Sequence, residues 1–421
     1  MNRKGLAPVV LLSFALATPA AWAGNGHVLH GIGAVNSSMG GAGVALPNDA
    51  LGALNLNPAL LARMEGHKFE FSVEYNNPGN AVESSVGPFS GRTEDDGDTV
   101  LIPAVGWARH KAGSRVGYGM GVLGLAGFGV DYPQDPTNPL LAPQPFGFGR
   151  VYSNYQLIKI PFVAAWQLSD SFSLGVSFNA ALGTLTADPA GFATPDCSGP
   201  TGPCFFPRVN SDSAWGFGAT VGVHYQINPA WALGLSYGTE IDFEDFEFNS
   251  AVANPNLPTF GTNREITLQL NYPSVIVGGI AFTPSDRLAI AVDGKMINYE
   301  DTEGFADVLG FEDIVVYDIG VQYRATDRIT LRGGYNVAEN PIPEERTFFT
   351  VSVPAIFEDR VSLGVGLRVN EALELNAGYY KVFENRITGP FVNPAIGPVP
   401  GTSVTTEMSM ESILVAFSFN L

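Results

Sequence analysis

The chain has 421 residues, 45% of them hydrophobic and 11% aromatic, with a formal net charge of −19. So acidic a chain is no partner for nucleic acid, because phosphate binding needs clustered Lys and Arg. Mean hydropathy is slightly positive, yet beyond the N-terminal segment no apolar run reaches the roughly 18 residues of a spanning helix.

The first segment reads as a secretory signal peptide over residues 1–23. Arg3 and Lys4 precede an apolar run from Leu6 to Ala17, and "AWA" (Ala21, Trp22, Ala23) ends it with small residues at cleavage-site spacing. Residues 24–66 form a Gly-rich region that closes on "NLNPALLARM". There Asn57 can cap a short helix, Pro58 fits its first position, and Leu60, Leu61 and Met64 give it an apolar face.

From residue 67 to 421 the pattern is that of strands. In "FSLGVSFNAAL" Phe172, Leu174, Val176 and Phe178 alternate with Ser173, Gly175, Ser177 and Asn179. In "WALGLSY" and "VSLGVGLRV" the same alternation repeats. The spacing predicts strands over 68–77, 98–110, 114–130, 151–168, 171–187, 212–227, 230–248, 263–284, 287–301, 312–325, 328–339, 357–370, 372–386 and 404–421. That makes fourteen, joined alternately by tight turns ("KAG", "SD", "NP", "SD", "TD", "NE") and by long loops rich in Pro, Asn, Gly and acid. An even strand count with short turns on one side is the transmembrane β-barrel pattern. The expected fold is therefore all-β, a fourteen-stranded antiparallel barrel in the bacterial outer membrane. The last strand points Ile413, Val415, Phe417, Phe419 and Leu421 to one side, a form that barrel-assembly machinery reads.

Within the third strand, "GYGMGVLGLAGFGV", Gly117, Gly119 and Gly121 share a parity that Gly124 breaks and Gly127 resumes, which is a bulge or kink signature. The alternative is that these glycines only make room for whatever fills the barrel. On the fourth strand Leu157, Lys159 and Val163 fall on the inward parity, as do Val275 and Val277 on the eighth. An apolar pocket holding one cation suits a long-chain carboxylate; an ion pair between Lys159 and a plug or lumen acid is the equal alternative. Asp293, Lys295, Asp318 and Arg332 read as a structural charge ladder. His224 faces inward with no nucleophile or acid pattern beside it, so no catalytic residue is expected. Cys197 and Cys204, the only cysteines, should form one disulfide closing a small loop, since two thiols without a nearby His do not complete a zinc site. Loops 131–149 and 188–210 carry Phe146, Phe148, Phe192, Phe205 and Phe206 among prolines, a capture surface for hydrophobic molecules. The acid runs at 94–98 and 242–248 read as solvated loop ends, with lipopolysaccharide as a neighbour and no calcium motif.

The start "GIGAVNSSMGGAGVALPNDALGALNLNPALLARM" resembles the N-terminal hatch of the FadL/TodX-type outer-membrane transporters, with Asn57, Pro58 and Ala59 matching that family's Asn-Pro-Ala motif. The resemblance continues through "NPAWALGLSY", "YPSVIVGGIAFTPSDRLAIAVD" and "YDIGVQYRATDRITLRGGYNVAENPIP". It implies a hatch over 24–66 closing the lumen and a kink at Gly121, Gly124 and Gly127 through which substrate leaves sideways. It also implies passive passage of fatty acids or similar hydrophobes through a monomer without cofactor or metal. An aqueous porin and an outer-membrane lipid hydrolase are the rival readings.

Overall fold

The computed structural model describes residues 25–97, 99–199, 202–393 and 397–421; the expected leader at 1–23 lies outside them. Fourteen antiparallel strands close a barrel. They are β1 (Gly66–Val86), β2 (Val100–His110), β3 (Val116–Tyr132), β4 (Val151–Gln167), β5 (Phe172–Asp188), β6 (Val209–Asn228), β7 (Trp231–Gly238), β8 (Ser274–Ser285), β9 (Leu288–Asn298), β10 (Ile314–Arg324), β11 (Ile329–Ala338), β12 (Arg360–Arg368), β13 (Leu373–Gly389) and β14 (Thr402–Asn420). Each pairs with its chain neighbours, and β14 returns to β1 in a register running from Lys68↔Asn420 to Val86↔Thr402. Closure joins the last strand to the first, so the sheet has no outer edge strand.

The alternation seen in the sequence is an inside-out one. On β5 Val176 and Phe178 point outward, Phe178 at 53% exposure, while Ser173, Ser177 and Asn179 are buried. Leu363 on β12 is 58% exposed, and Ile413, Val415 and Phe417 line the outside of β14. In water this apolar belt would cost about 25 cal/mol per Å²; against lipid it is the favourable face.

Two strands were drawn too long by periodicity. The segment 230–248 leaves the wall after Gly238, and 263–284 joins it only at Ser274. Between them Phe246–Ala251 and Asn263–Leu268 pair with one another as a separate hairpin. Alternation is the same for both pairings, so it cannot report the partner. Pro273 just before β8, with no N–H to donate, marks where wall pairing begins. Conversely β1 runs on past 77 through Pro78. Its pairing to β2 ends at Asn76↔Val100, so the edge facing β2 asks no donor of Pro78.

Residues 25–65 fill the lumen. They form α1 (Gly33–Ser38), α2 (Ala50–Leu56) and a 3₁₀ turn at Pro58–Ala62, all nearly fully buried. The expected helix is that 3₁₀ turn: Asn57 caps it, its side chain accepting from Ala59 N, and Pro58 opens it. A barrel this wide cannot fill its interior from its own strands. The wall is glycine where the plug's backbone touches it. A Cβ on Gly175 would overlap the Pro58–Ala59 backbone, and one on Gly334 would overlap Met39 and Gly40.

Candidate functional site

The plug is held by polar anchors spaced round the wall. Asp293 of β9 accepts hydrogen bonds from the amides of Gly43 and Val44 at 2.6 and 2.8 Å. Glu70 of β1 accepts from Ala50 and Leu51, both at 3.1 Å, where its charge meets the unpaired N–H groups opening α2. Lys295 donates to the carbonyl of His30 at 3.0 Å and pairs with Asp318 at 2.7 Å. Asn57 donates to the carbonyls of Val44 (2.8 Å) and Val223 on β6 (3.0 Å) while its oxygen caps the following turn at 3.0 Å. The inward charges are therefore plug clamps more than a free-standing ladder. Arg332 pairs across the wall with Glu374 at 3.4 Å and donates to Gln322 and Asn376 at 2.7 and 2.8 Å. His224 is buried on the inner face, near Arg63 of the plug.

Between plug and wall lies a cavity of about 70 Å³. Lys159, Val275 and Val277 line it, as the inward parity predicts, together with Asn55, Leu125 and Tyr272. The other two pocket candidates lie elsewhere. Leu157 is buried in the apolar cluster with Tyr155 and Leu185, and Val163 packs against the plug with Leu54 and Leu61. Parity gives the face but not the depth at which the plug ends. Lys159 is 6% exposed, and its ammonium donates to Asn55 Oδ1 at 2.7 Å. Among the described residues no carboxylate stands within ion-pair distance of it. The structure thus holds no ion pair between Lys159 and a plug or lumen acid among the described residues.

The third strand carries a break in the wall. Its pairing with β2 runs from His110↔Gly117 to Ala104↔Leu123 and stops, although both strands continue. Its pairing with β4 shifts register between Gly124 and Ala126. Gly117, Gly119 and Gly121 face inward, and Gly119 and Gly121 lie against Leu54 of the plug, so here the roomy-glycine alternative holds. Beyond the bulge the faces exchange: Val130 and Tyr132 turn inward, and Gly127 and Gly129 outward. A Cβ on Gly124 would overlap the side chain of Ile102. The edge of β3 that β2 vacates is taken by the plug. Leu29 N donates to Leu125 O at 3.2 Å and Gly127 N to His27 O at 3.4 Å, an antiparallel bridge centred on Val28 and Ala126.

On the long-loop side, Phe148 packs against Phe206 (5.2 Å between centroids) and Phe348 (5.0 Å). A small apolar pocket there also includes Phe349. Phe348 and Phe349, in "TFFT", were not singled out from the sequence, although two adjacent aromatics in a polar loop were signal enough. Phe192 packs on Phe248 instead, Phe146 stands free at 87% exposure, and Phe205 belongs to the hairpin closed by the Cys197–Cys204 disulfide. That hairpin is tied to the 246–268 hairpin by Asp196, which pairs with Arg264 at 2.8 Å.

A closed barrel with an apolar outer belt, short turns at one end and a folded plug in its lumen is an outer-membrane transport architecture. The chain belongs to the family of outer membrane protein transport proteins (OMPP1/FadL/TodX), whose model matches residues 14–421. It is similar to the long-chain fatty acid transport protein of Escherichia coli O6:H1, 23% identical with 90% of each chain covered. It is also similar to outer membrane protein P1 of Haemophilus influenzae, 25% identical over 40% of this chain and 38% of that one. In fold it resembles the toluene transporter TodX of P. putida, with a TM-score of 0.72 at 18% identity over 93% of this chain and 99% of that one. A FadL homologue of Pseudomonas aeruginosa gives a TM-score of 0.72 at 15% identity over 95% and 100%. It is an outer-membrane transporter and not an enzyme.

Proposed function

We propose that the barrel carries hydrophobic molecules with an anionic head group, long-chain fatty acids foremost, inward by passive diffusion. The observation that carries the choice of ligand is Lys159, a buried cation in a largely apolar lining whose side chain has only a neutral amide for partner. Its desolvation is offset little by Asn55, and a carboxylate arriving there would supply the missing charge. The relatives named for fatty acid transport support this reading. Capture would begin on the Phe148, Phe206 and Phe348 surface.

The cavity beside Lys159, about 70 Å³, is small, and plug side chains such as Leu54, Leu60 and Leu61 pack against the wall around it. A long acyl chain therefore needs the plug to move. The plug that fills the lumen speaks against an aqueous porin. The plug segment that lies on the free edge of β3 is the piece whose departure opens the wall, and an apolar ligand leaving there keeps its surface buried in the bilayer rather than losing about 25 cal/mol per Å² to water.

The head-group claim is tested with Lys159→Met in the purified protein. Oleate binding should weaken about tenfold to a hundredfold, the value of a charge-assisted contact, while binding of uncharged octadecane is kept. Equal losses for both ligands, or none for oleate, would remove Lys159 from the reading.

A further inference from the structure

A second cavity opens among the short turns, which face the periplasm in an outer-membrane barrel. It holds about 580 Å³ and shares no lining residue with the cavity beside Lys159. That volume lies within the roughly 300–1,000 Å³ of small-molecule sites. One side of it is the plug segment at residues 45–48, where Ala45, Leu46 and Pro47 are apolar. Arg287 and Arg324 line it at the ends of β9 and β10. We propose that this vestibule is a binding site for a single-chain anionic amphiphile arriving from the periplasm. Its carboxylate is shared by the two guanidinium groups, and its chain lies on the apolar plug segment. The proposal rests on the reading that the barrel carries hydrophobic anions, and adds a second place, on the periplasmic side of the plug, where one is held.

Three observations carry it. First, two like charges are set against each other. The β9–β10 register continues one step past Leu288↔Tyr323 to Arg287 and Arg324, where Arg324 N donates to Arg287 O at 2.8 Å. Like charges directly opposite on one face, with Cβ atoms about 4.5–5.5 Å apart, are destabilising. An anion between them replaces the repulsion with two charge-assisted contacts. Second, the wall supplies no such anion. Among the described residues neither guanidinium has a hydrogen-bond or ion-pair partner, and Arg324 faces Thr330 on β11. Asp286 lines the same cavity but stands outside ion-pair distance of both. At the next turn Arg328 and Arg368 are opposed in the same way, yet there Glu374 lies opposite Arg368 on β13. With 41 acidic residues against 22 basic, the bare pair is not for want of acids. Third, the cavity is amphipathic, with Gln226 and Gln322 beside the arginines and the apolar segment across from them. That segment follows Gly43 and Val44, whose amides Asp293 holds, so a bound amphiphile bears on the anchored part of the plug.

The test is protection of Ser285→Cys, a position that lines the cavity, from alkylation by a charged maleimide. The full-length protein is held in phosphatidylcholine nanodiscs, and its native cysteines are joined to each other. Dodecanoate should slow the alkylation. Dodecanol should need about tenfold to a hundredfold more for equal protection, the value of contacts to charged groups. Adding Arg287→Gln and Arg324→Gln together should raise the dodecanoate requirement to that of dodecanol, and Lys159→Met should leave it unchanged. Equal protection by acid and alcohol, or protection that survives loss of both arginines, overturns the proposal. So does protection lost in Lys159→Met, since the effect would then reach Ser285 from the lumen through the plug. Protection in phosphatidylglycerol discs without added ligand would assign the arginines to a lipid head group. Protection by hexaglutamate at lower concentration than by dodecanoate would make the vestibule a docking face for protein. Either result also overturns it. The arginine double variant should keep its heat-resistant barrel to at least the wild-type temperature, because it removes a repulsion; a lower temperature would give the pair a structural task and contradict the proposal. Oleate binding to Lys159→Met separates the two readings. Full oleate binding there, with Ser285→Cys still protected, sinks the lumen assignment alone; weakened oleate binding with no protection by dodecanoate sinks the vestibule alone.

Discussion

Asn57 joins three pieces of chain through one amide: the turn that follows it, the plug turn at Val44 and the wall at Val223. Its capping role was legible because a cap is local, an Asn followed by Pro at the start of an apolar turn. The two donations were not, since their acceptors are set by the fold. Asn57→Ala should therefore loosen the plug by more than the ~1 kcal/mol of a lost cap, on the order of 2–3 kcal/mol with the donations to Val44 and Val223 lost as well. Protease cutting before residue 65 should accelerate while the barrel still runs as a folded species; unchanged cutting would show that Asn57 does not hold the plug. His27 predicts a pH dependence. Docked, its pKa is about 3 because burial penalises the charged form, against 6.5 when free. Its contribution to docking is then fully present above about pH 6.5 and is lost as pH falls toward 3, by about 1.4 kcal/mol per unit. Asp49, pushed up to about 7 by burial and by Glu70, acts in the opposite sense, favouring docking as pH falls below 7. The His27 part is isolated by difference. Between about pH 7.5 and 5, plug proteolysis should rise more in the wild type than in His27→Phe, and parallel profiles would contradict it.

Among the elements, the inner wall and the plug were read from different features of one pattern. Alternation gave the barrel strands and their faces, because lipid imposes the same rule on each of them. It failed at 246–268, where two strands pair away from the wall and periodicity is silent about partners. Gly175, Gly222, Gly234 and Gly334 lie on the inner face of the wall. In the structure Gly175, Gly234 and Gly334 mark where plug backbone lies on wall backbone, and Gly222 makes room for the Asn57 side chain. Gly175→Leu should therefore leave the barrel assembled and force out the turn at Pro58–Ala62. Cells carrying it should admit large polar antibiotics that the wild type excludes, as minimum inhibitory concentrations would report. An unaltered permeability barrier would mean that the turn repacks around the side chain. The third strand combined both uses of glycine, room for Leu54 before the bulge and a change of face after it. That is why a parity break could be read there while the opposite orientation of Gly127 could not.

At the scale of the whole molecule, the plug and the break in the wall form one device, because residues 27–29 occupy the edge of β3 that β2 leaves free. The fourteen strands, the lumen plug and the kink were legible from the chain; the contact between the last two was not, since it joins residues about a hundred positions apart by backbone alone. On the proposed lateral route, transport requires that this short segment leave β3. Val28 and Ala126 face one another as a non-hydrogen-bonded antiparallel pair, where Cα atoms lie about 4.5 Å apart and a disulfide can form. The most direct measurement is oleate uptake by cells carrying Val28→Cys with Ala126→Cys, compared under oxidising and reducing conditions with the wild type treated alike. Oxidation should lower uptake to the level of cells without the protein, and reduction should restore it, with wild-type uptake steady throughout. Equal uptake in the oxidised and reduced double variant would contradict the account, because substrate would then cross with the plug strand still fixed to the wall.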